Sequence, residues 1–149
     1  MSTPAPTPAA APHAASIGRI AIIGRIDDLA SDVSGFIEQL GLEPVVVGSL
    51  PGAMAPAAIE KLDELRNVGF AVMLPGDTAL QPASLLAVGF LLGMLQRSRI
   101  CFMGSAQQPA TPAWEGALTV SVDDAGLWRL LLAREMKRAG IEVDLNRAL

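Results

Sequence analysis

Strand-like and helix-like segments alternate along the 149-residue chain and predict an α/β fold: a three-layer, doubly wound sheet of five mainly parallel strands. Three observations carry this expectation. Short apolar runs bounded by Gly and Pro recur between segments whose apolar residues fall at helical spacing. Those runs are continuous rather than alternating, as in strands covered on both faces. Hydrophobic residues make up 51% of the chain, enough for the core of one domain.

Residues 1–16 (MSTPAPTPAAAPHAAS) hold Pro, Ala and small polar residues with nothing large to bury. They read as a flexible tail, because burial cannot repay the entropy of ordering them. The folded domain is expected over 17–149. In it, residues 19–23 read as a first buried strand ended by Gly24. Asp27 or Asp28 can cap the following helix, where Leu29, Val33, Phe36, Ile37 and Leu40 share one face and Gly41 marks the stop. Residues 44–47 make a second strand, and 57–66 an amphipathic helix with Ile59, Leu62 and Leu65 inward. A third strand spans 70–74 and turns at Pro75, Gly76 and Asp77.

Residues 82–97 (PASLLAVGFLLGMLQR) are the most apolar run. It is shorter than the roughly 20 residues a membrane span needs, so a helix packed inside a domain is expected. Gly89 and Gly93 lie on one face of it, suited to close packing on the sheet or against a neighbouring helix. A fourth strand follows at 100–103, a Gly/Pro-rich loop to Gly116, a fifth strand at 118–122, and a last helix at 125–139 with Leu127, Leu130, Leu131 and Met136 inward. Right-handed crossovers arrange such a chain as a flavodoxin-type sheet. Ligands of these sheets sit outside the carboxyl ends of the strands where strand order reverses, here between strands one and three. Gly24, Arg25, Gly76 and Asp77 would flank that crevice.

Composition excludes several functions. The net charge of −4 without a basic stripe argues against nucleic acid or an anionic membrane as partner. His13, the only histidine, lies in the tail, and with one cysteine an ordinary zinc site is excluded. That cysteine, Cys101, cannot form an internal disulfide, and no signal peptide opens the chain, so a reducing cytoplasm is expected. Cys101 and Trp128 read as core packing. The nucleotide, hydrolase and dithiol motifs GxGxxG, GxxxxGK[ST], GxSxG and CxxC are absent. Arg25 could meet a phosphate or simply be solvated. Trp114 could stack on a ring or close the core beneath its loop.

Several stretches are specific beyond this pattern: IAIIGRIDD (20–28), FIEQLGLEPVV (36–46), IEKLDEL (59–65), NVGFAVML (67–74), VGFLLGMLQRSRIC (88–101) and AGIEVDLNRA (139–148). In these the chain resembles the bacterial TIR-like domains known as predicted nucleotide-binding proteins, including the TIR effectors of cyclic-nucleotide antiphage systems. Asp144, Leu145 and Asn146 are the most specific match. The resemblance implies a module that binds NAD or a related nucleotide and requires no cofactor. Active members cleave the bond between nicotinamide and ribose with a glutamate in a Phe-Glu-Leu-Gly pattern. The matching residues here are Leu86, Ala87, Val88 and Gly89, so Ala87 occupies the glutamate position, and Ile23 replaces the family's histidine. A methyl group cannot accept a ribose hydroxyl or stabilise developing positive charge.

The resemblance therefore implies a degenerate nucleotide-binding module, with no catalytic residue, that self-associates or pairs with another TIR-containing protein. Its nucleotide edge would comprise Gly24, Arg25, Asp77, Ala87 and Trp114. Two other readings stay open. One is an active NAD glycohydrolase using Asp77 or Glu115 as a non-standard acid. The other is a flavodoxin-like binding module unrelated to TIR chemistry.

Overall fold

The computed structural model describes residues 18–25, 27–48, 56–75, 82–110, 112, 114–123 and 125–148. In chain order these form β1 (Arg19–Ile23), α1 (Asp28–Gln39), β2 (Glu43–Val47), α2 (Pro56–Glu64), β3 (Phe70–Met73) and α3 (Pro82–Met94). A 3-10 turn (Arg97–Arg99), β4 (Ile100–Gly104), β5 (Leu118–Ser121), α4 (Leu127–Arg138) and a final 3-10 turn (Leu145–Ala148) follow. The strands make one sheet in the order β2-β1-β3-β4-β5, and every neighbouring pair is parallel. Strand order thus reverses between β1 and β3, as the sequence predicts. The tail at 1–16 lies outside the described residues.

Two cores sandwich the sheet. Ile20, Ile22, Phe70, Val72, Cys101 and Met103 face α1 and α4, while Ala21, Ile23, Ala71, Met73, Ile100 and Phe102 face α2 and α3. Period-two alternation sends successive residues of each strand to opposite layers, so strands covered on both sides are apolar throughout. β1, β3 and β4 satisfy this: all their residues but Arg19 are buried. β5 reads Leu-Thr-Val-Ser instead, with Val120 buried and Thr119 and Ser121 exposed. The reason is local: the described residues of the β4–β5 connection contain no helix to cover that face.

The outer strand β2 is blunted. Glu43 donates its N–H to the Gly18 carbonyl, and the Val47 carbonyl accepts from Gly24. Residues 43, 45 and 47 therefore face β1, leaving the backbone groups of Pro44 and Val46 to point outward. Proline stands where its missing N–H breaks no ladder bond, and it weakens the edge as a template for pairing.

Three expectations change. The helix expected at 82–97 ends at Met94. Ile59, expected inward on α2, is 47% exposed, whereas Leu62 and Leu65 are buried. On α4, Leu127 is 51% exposed and Leu130 and Leu131 are half-buried, while Trp128, Leu132, Ala133 and Met136 face the core. Trp128 decides that rotation, because its large ring packs edge-to-face on Phe36 with centroids 5.6 Å apart. No helix among the described residues is long and apolar enough to cross a membrane.

Candidate functional site

The carboxyl ends of β1 and β3 form the candidate edge. Gly24 is stitched there by its N–H to the Val47 carbonyl at 3.2 Å, and Leu74 donates to the Ile23 carbonyl at 2.9 Å. Gly24 has φ +146°, and a Cβ on it would stand 2.7 Å from the Cβ of Leu74. Glycine is thus required by the close approach of the β3 exit, a demand the sequence alone does not reveal. Arg25, one residue on, is exposed at the edge.

The acids nearby have structural tasks. Asp27 Oδ1 accepts the Ala30 N–H at 3.0 Å, which caps α1. Asp123 Oδ1 accepts the Leu127 N–H at 3.2 Å at the start of α4. These helices begin at the carboxyl edge, and their positive N-terminal dipoles attract acids to it. The result is an edge where the exposed Arg25 stands beside the exposed Asp27 and Asp28 at the exit of β1, with Asp123 at the exit of β5; the exposed Glu115 lies ahead of the amino end of β5. Among the described residues, such an edge attracts a phosphate at Arg25 and at Arg129 in the first turn of α4. Gly76 and Asp77 lie outside the described residues.

Ala87 is fully buried in the core shared by β1, β3, β4, α2 and α3. Ile23 is fully buried in the same core. Trp114 is half-buried and meets Phe102 edge-to-face with centroids 5.4 Å apart, closing the core beneath its loop. Gly104 is needed for the same closure, because the loop at Ala110 returns across the space a Cβ would fill.

Cys101 is buried. Burial, reinforced by the negative charge of Glu135, pushes its thiol from 9.0 up to about 12. A thiol so protonated is no nucleophile at neutral pH. Among the described residues no group of His, Cys, Asp and Glu could hold a metal ion.

The motif Asp144-Leu145-Asn146 sits at the other end of the sheet. Asp144 Oδ1 accepts the Asn146 N–H at 3.0 Å, and its carbonyl accepts from Arg147. Gln39, the last residue of α1, donates from Nε2 to the Arg147 carbonyl at 2.6 Å. The most specific stretch of the sequence is thus a clasp that fastens the C-terminal turn onto α1.

Comparison with known proteins adds one relative. The uncharacterized protein YuaY of Escherichia coli (strain K12) is 29% identical over 142 residues, which cover 85% of this chain and 46% of that protein. The chain spans about half the length of this relative. No protein-family model matches the chain, and no solved structure matches it. What is established is an α/β domain with a five-stranded, all-parallel sheet, related to YuaY.

Proposed function

We propose that the chain is a degenerate TIR-like module that binds a nucleotide such as NAD beside Gly24 and Arg25, or assembles with itself or another TIR-containing chain, without hydrolysing NAD. The observation that carries this reading is Ala87. It occupies the position of the family's glutamate, and it is sealed in an apolar core. The buried Ile23, in place of the family's histidine, supports the same conclusion.

Arg25 and the reversal of strand order between β1 and β3 support nucleotide binding. The reading predicts no turnover of a fluorescent NAD analogue at high protein concentration, together with either heat on titration with NAD or self-association by mass measurement. Blank results in both titration and mass measurement sink it. Turnover would favour the alternative, a glycohydrolase acting through Asp77 or Glu115. NAD-independent binding of another ligand at the β1/β3 edge would favour a flavodoxin-like binding module.

A further inference from the structure

All four helices follow strands of one parallel sheet, so all four start at its carboxyl edge. A helix start offers free N–H groups and a positive dipole, and in sheets of this type it is where a ligand's diphosphate comes to rest. In this chain each start works against that use. At α1, Asp27 Oδ1 already accepts the Ala30 N–H at 3.0 Å, and Asp28 in the first turn adds a second negative charge. At α4, Asp123 Oδ1 accepts the Leu127 N–H at 3.2 Å. α2 and α3 open with Pro56 and Pro82, which bring no N–H of their own.

The strand exits add no donors in their place. Gly24 and Leu74, the first residues beyond β1 and β3, spend their N–H groups on the Val47 and Ile23 carbonyls. Arg25 is the cation at the exit of β1, and it stands beside two exposed carboxylates, Asp27 and Asp28. Arg129 belongs to the far end of the edge, where its guanidinium lies 4.6 Å from the centroid of the Trp128 ring. β3 and β4 stand between the exits of β1 and β5. At about 4.8 Å per strand the gap is about 14 Å, more than one diphosphate bridges.

We propose that the β1/β3 edge selects against diphosphates, with Asp27 and Asp28 as the specificity-determining residues, and that its ligand is a nucleoside or nucleoside monophosphate. Arg25 can meet a single phosphate. A second phosphate would have to lie where the Asp27 carboxylate caps α1, beside the charge of Asp28. The proposal rests on the nucleotide-binding part of the reading above and narrows the ligand from a dinucleotide to one nucleoside half of it.

The test is isothermal titration of the full chain with adenosine, AMP, ADP and NAD at one ionic strength. ADP and NAD are each expected to bind about threefold more weakly than AMP, or worse. Asp27→Asn with Asp28→Asn keeps a capping side chain and removes both charges. In that variant the ratio of ADP to AMP affinity should rise about tenfold, while adenosine stays within about threefold of its wild-type affinity. Glu60→Gln with Glu64→Gln removes the same charge from exposed positions of α2 and should leave the ratio unchanged.

ADP or NAD binding as tightly as AMP in the wild type overturns the selection and leaves nucleotide binding standing. So does a ratio that fails to rise in the double variant while its far-ultraviolet circular dichroism is that of the wild type. If the double variant unfolds, Asp28→Asn, which leaves the Asp27 cap in place, should raise the ratio in its stead, and an unchanged ratio there overturns the selection equally. A wild type that gives no heat with any of the four compounds overturns this ligand and nucleotide binding together, leaving self-association to stand or fall by its mass measurement.

Discussion

The inner and outer faces of α3 are made of nearly the same kinds of residue and stand in opposite environments. Ala87, Val88 and Leu91 are buried against the sheet, while Gly89, Leu92 and Gly93 are exposed, Leu92 by 37%. Nothing among the described residues lies within 4 Å of where a Cβ on either glycine would stand. α1 differs: Val33, Phe36 and Ile37 face in, and Asp28, Asp32 and Glu38 face out. Polarity orients α1. With no charge on α3, side-chain size orients it, because turning Leu91 and Val88 inward removes more apolar area from water than turning glycines inward would.

A glutamate placed on each face gives the sharpest test of that contrast. Ala87→Glu puts an unpaired carboxylate into an apolar core, and such groups shift by about three or more pKa units, equivalent to about 4 kcal/mol or more at neutral pH. The folded-state pKa of the introduced carboxyl lies above its unfolded value. The penalty is therefore full above the folded pKa and disappears as pH falls below the unfolded value of roughly 4.3. Gly89→Glu, two positions away on the outer face, should change stability by no more than about 1 kcal/mol. Urea denaturation at about pH 7 and about pH 4.5 measures both. Equal losses at both positions would show that α3 is not held in this rotation. A folded Ala87→Glu protein with NAD cleavage would show that this face opens onto the crevice.

Cys101 extends the comparison to the core on the other side of the sheet. With its folded pKa near 12 against 9.0, the unfolded chain binds fewer protons between those values, so stability falls as pH rises. The expected slope is about 1.4 kcal/mol per pH unit above pH 9. The chain has no tyrosine to titrate in that range. The slope should be absent from Cys101→Ala, whatever that variant's lower baseline. Identical slopes in the two proteins would show that the thiol is not sealed.

These contrasts also mark what was legible in the sequence. Buried strands announce themselves as continuous apolar runs with Gly or Pro at their ends, and a mainly parallel order follows from alternation and crossover handedness; the sheet is parallel at every neighbouring pair. The rotation of α4 was not legible. Leu127-Leu130-Leu131 and Trp128-Leu132-Met136 are both apolar stripes, and only the contact of Trp128 with Phe36 separates them. At the candidate edge, Arg25 was identifiable as a residue, but the reason for Gly24 lies in Leu74, 50 positions away. Trp114 is balanced in the sequence between ring stacking and core closure, and with no helix among the described residues between β4 and β5 it serves as a cover for Phe102. Asp144 and Asn146 were specific as a pattern, yet specificity of pattern says nothing of role until Gln39 is seen to hold the turn they form.

The smallest expected effect is the most discriminating for the outer face of α3. Gly89→Ala and Gly93→Ala add a methyl group in open space and remove backbone freedom from the unfolded chain. Each should stabilise the protein by about 0.5–1 kcal/mol, seen as a higher urea midpoint at unchanged slope. The two sites are one turn apart on the same face, so any departure of the double variant from the sum measures contact between the two added methyl groups. If instead a neighbouring backbone packs against these glycines in solution, the same methyl groups destabilise, and the loss grows with protein concentration. That outcome would put the proposed self-association on the uncharged face of α3.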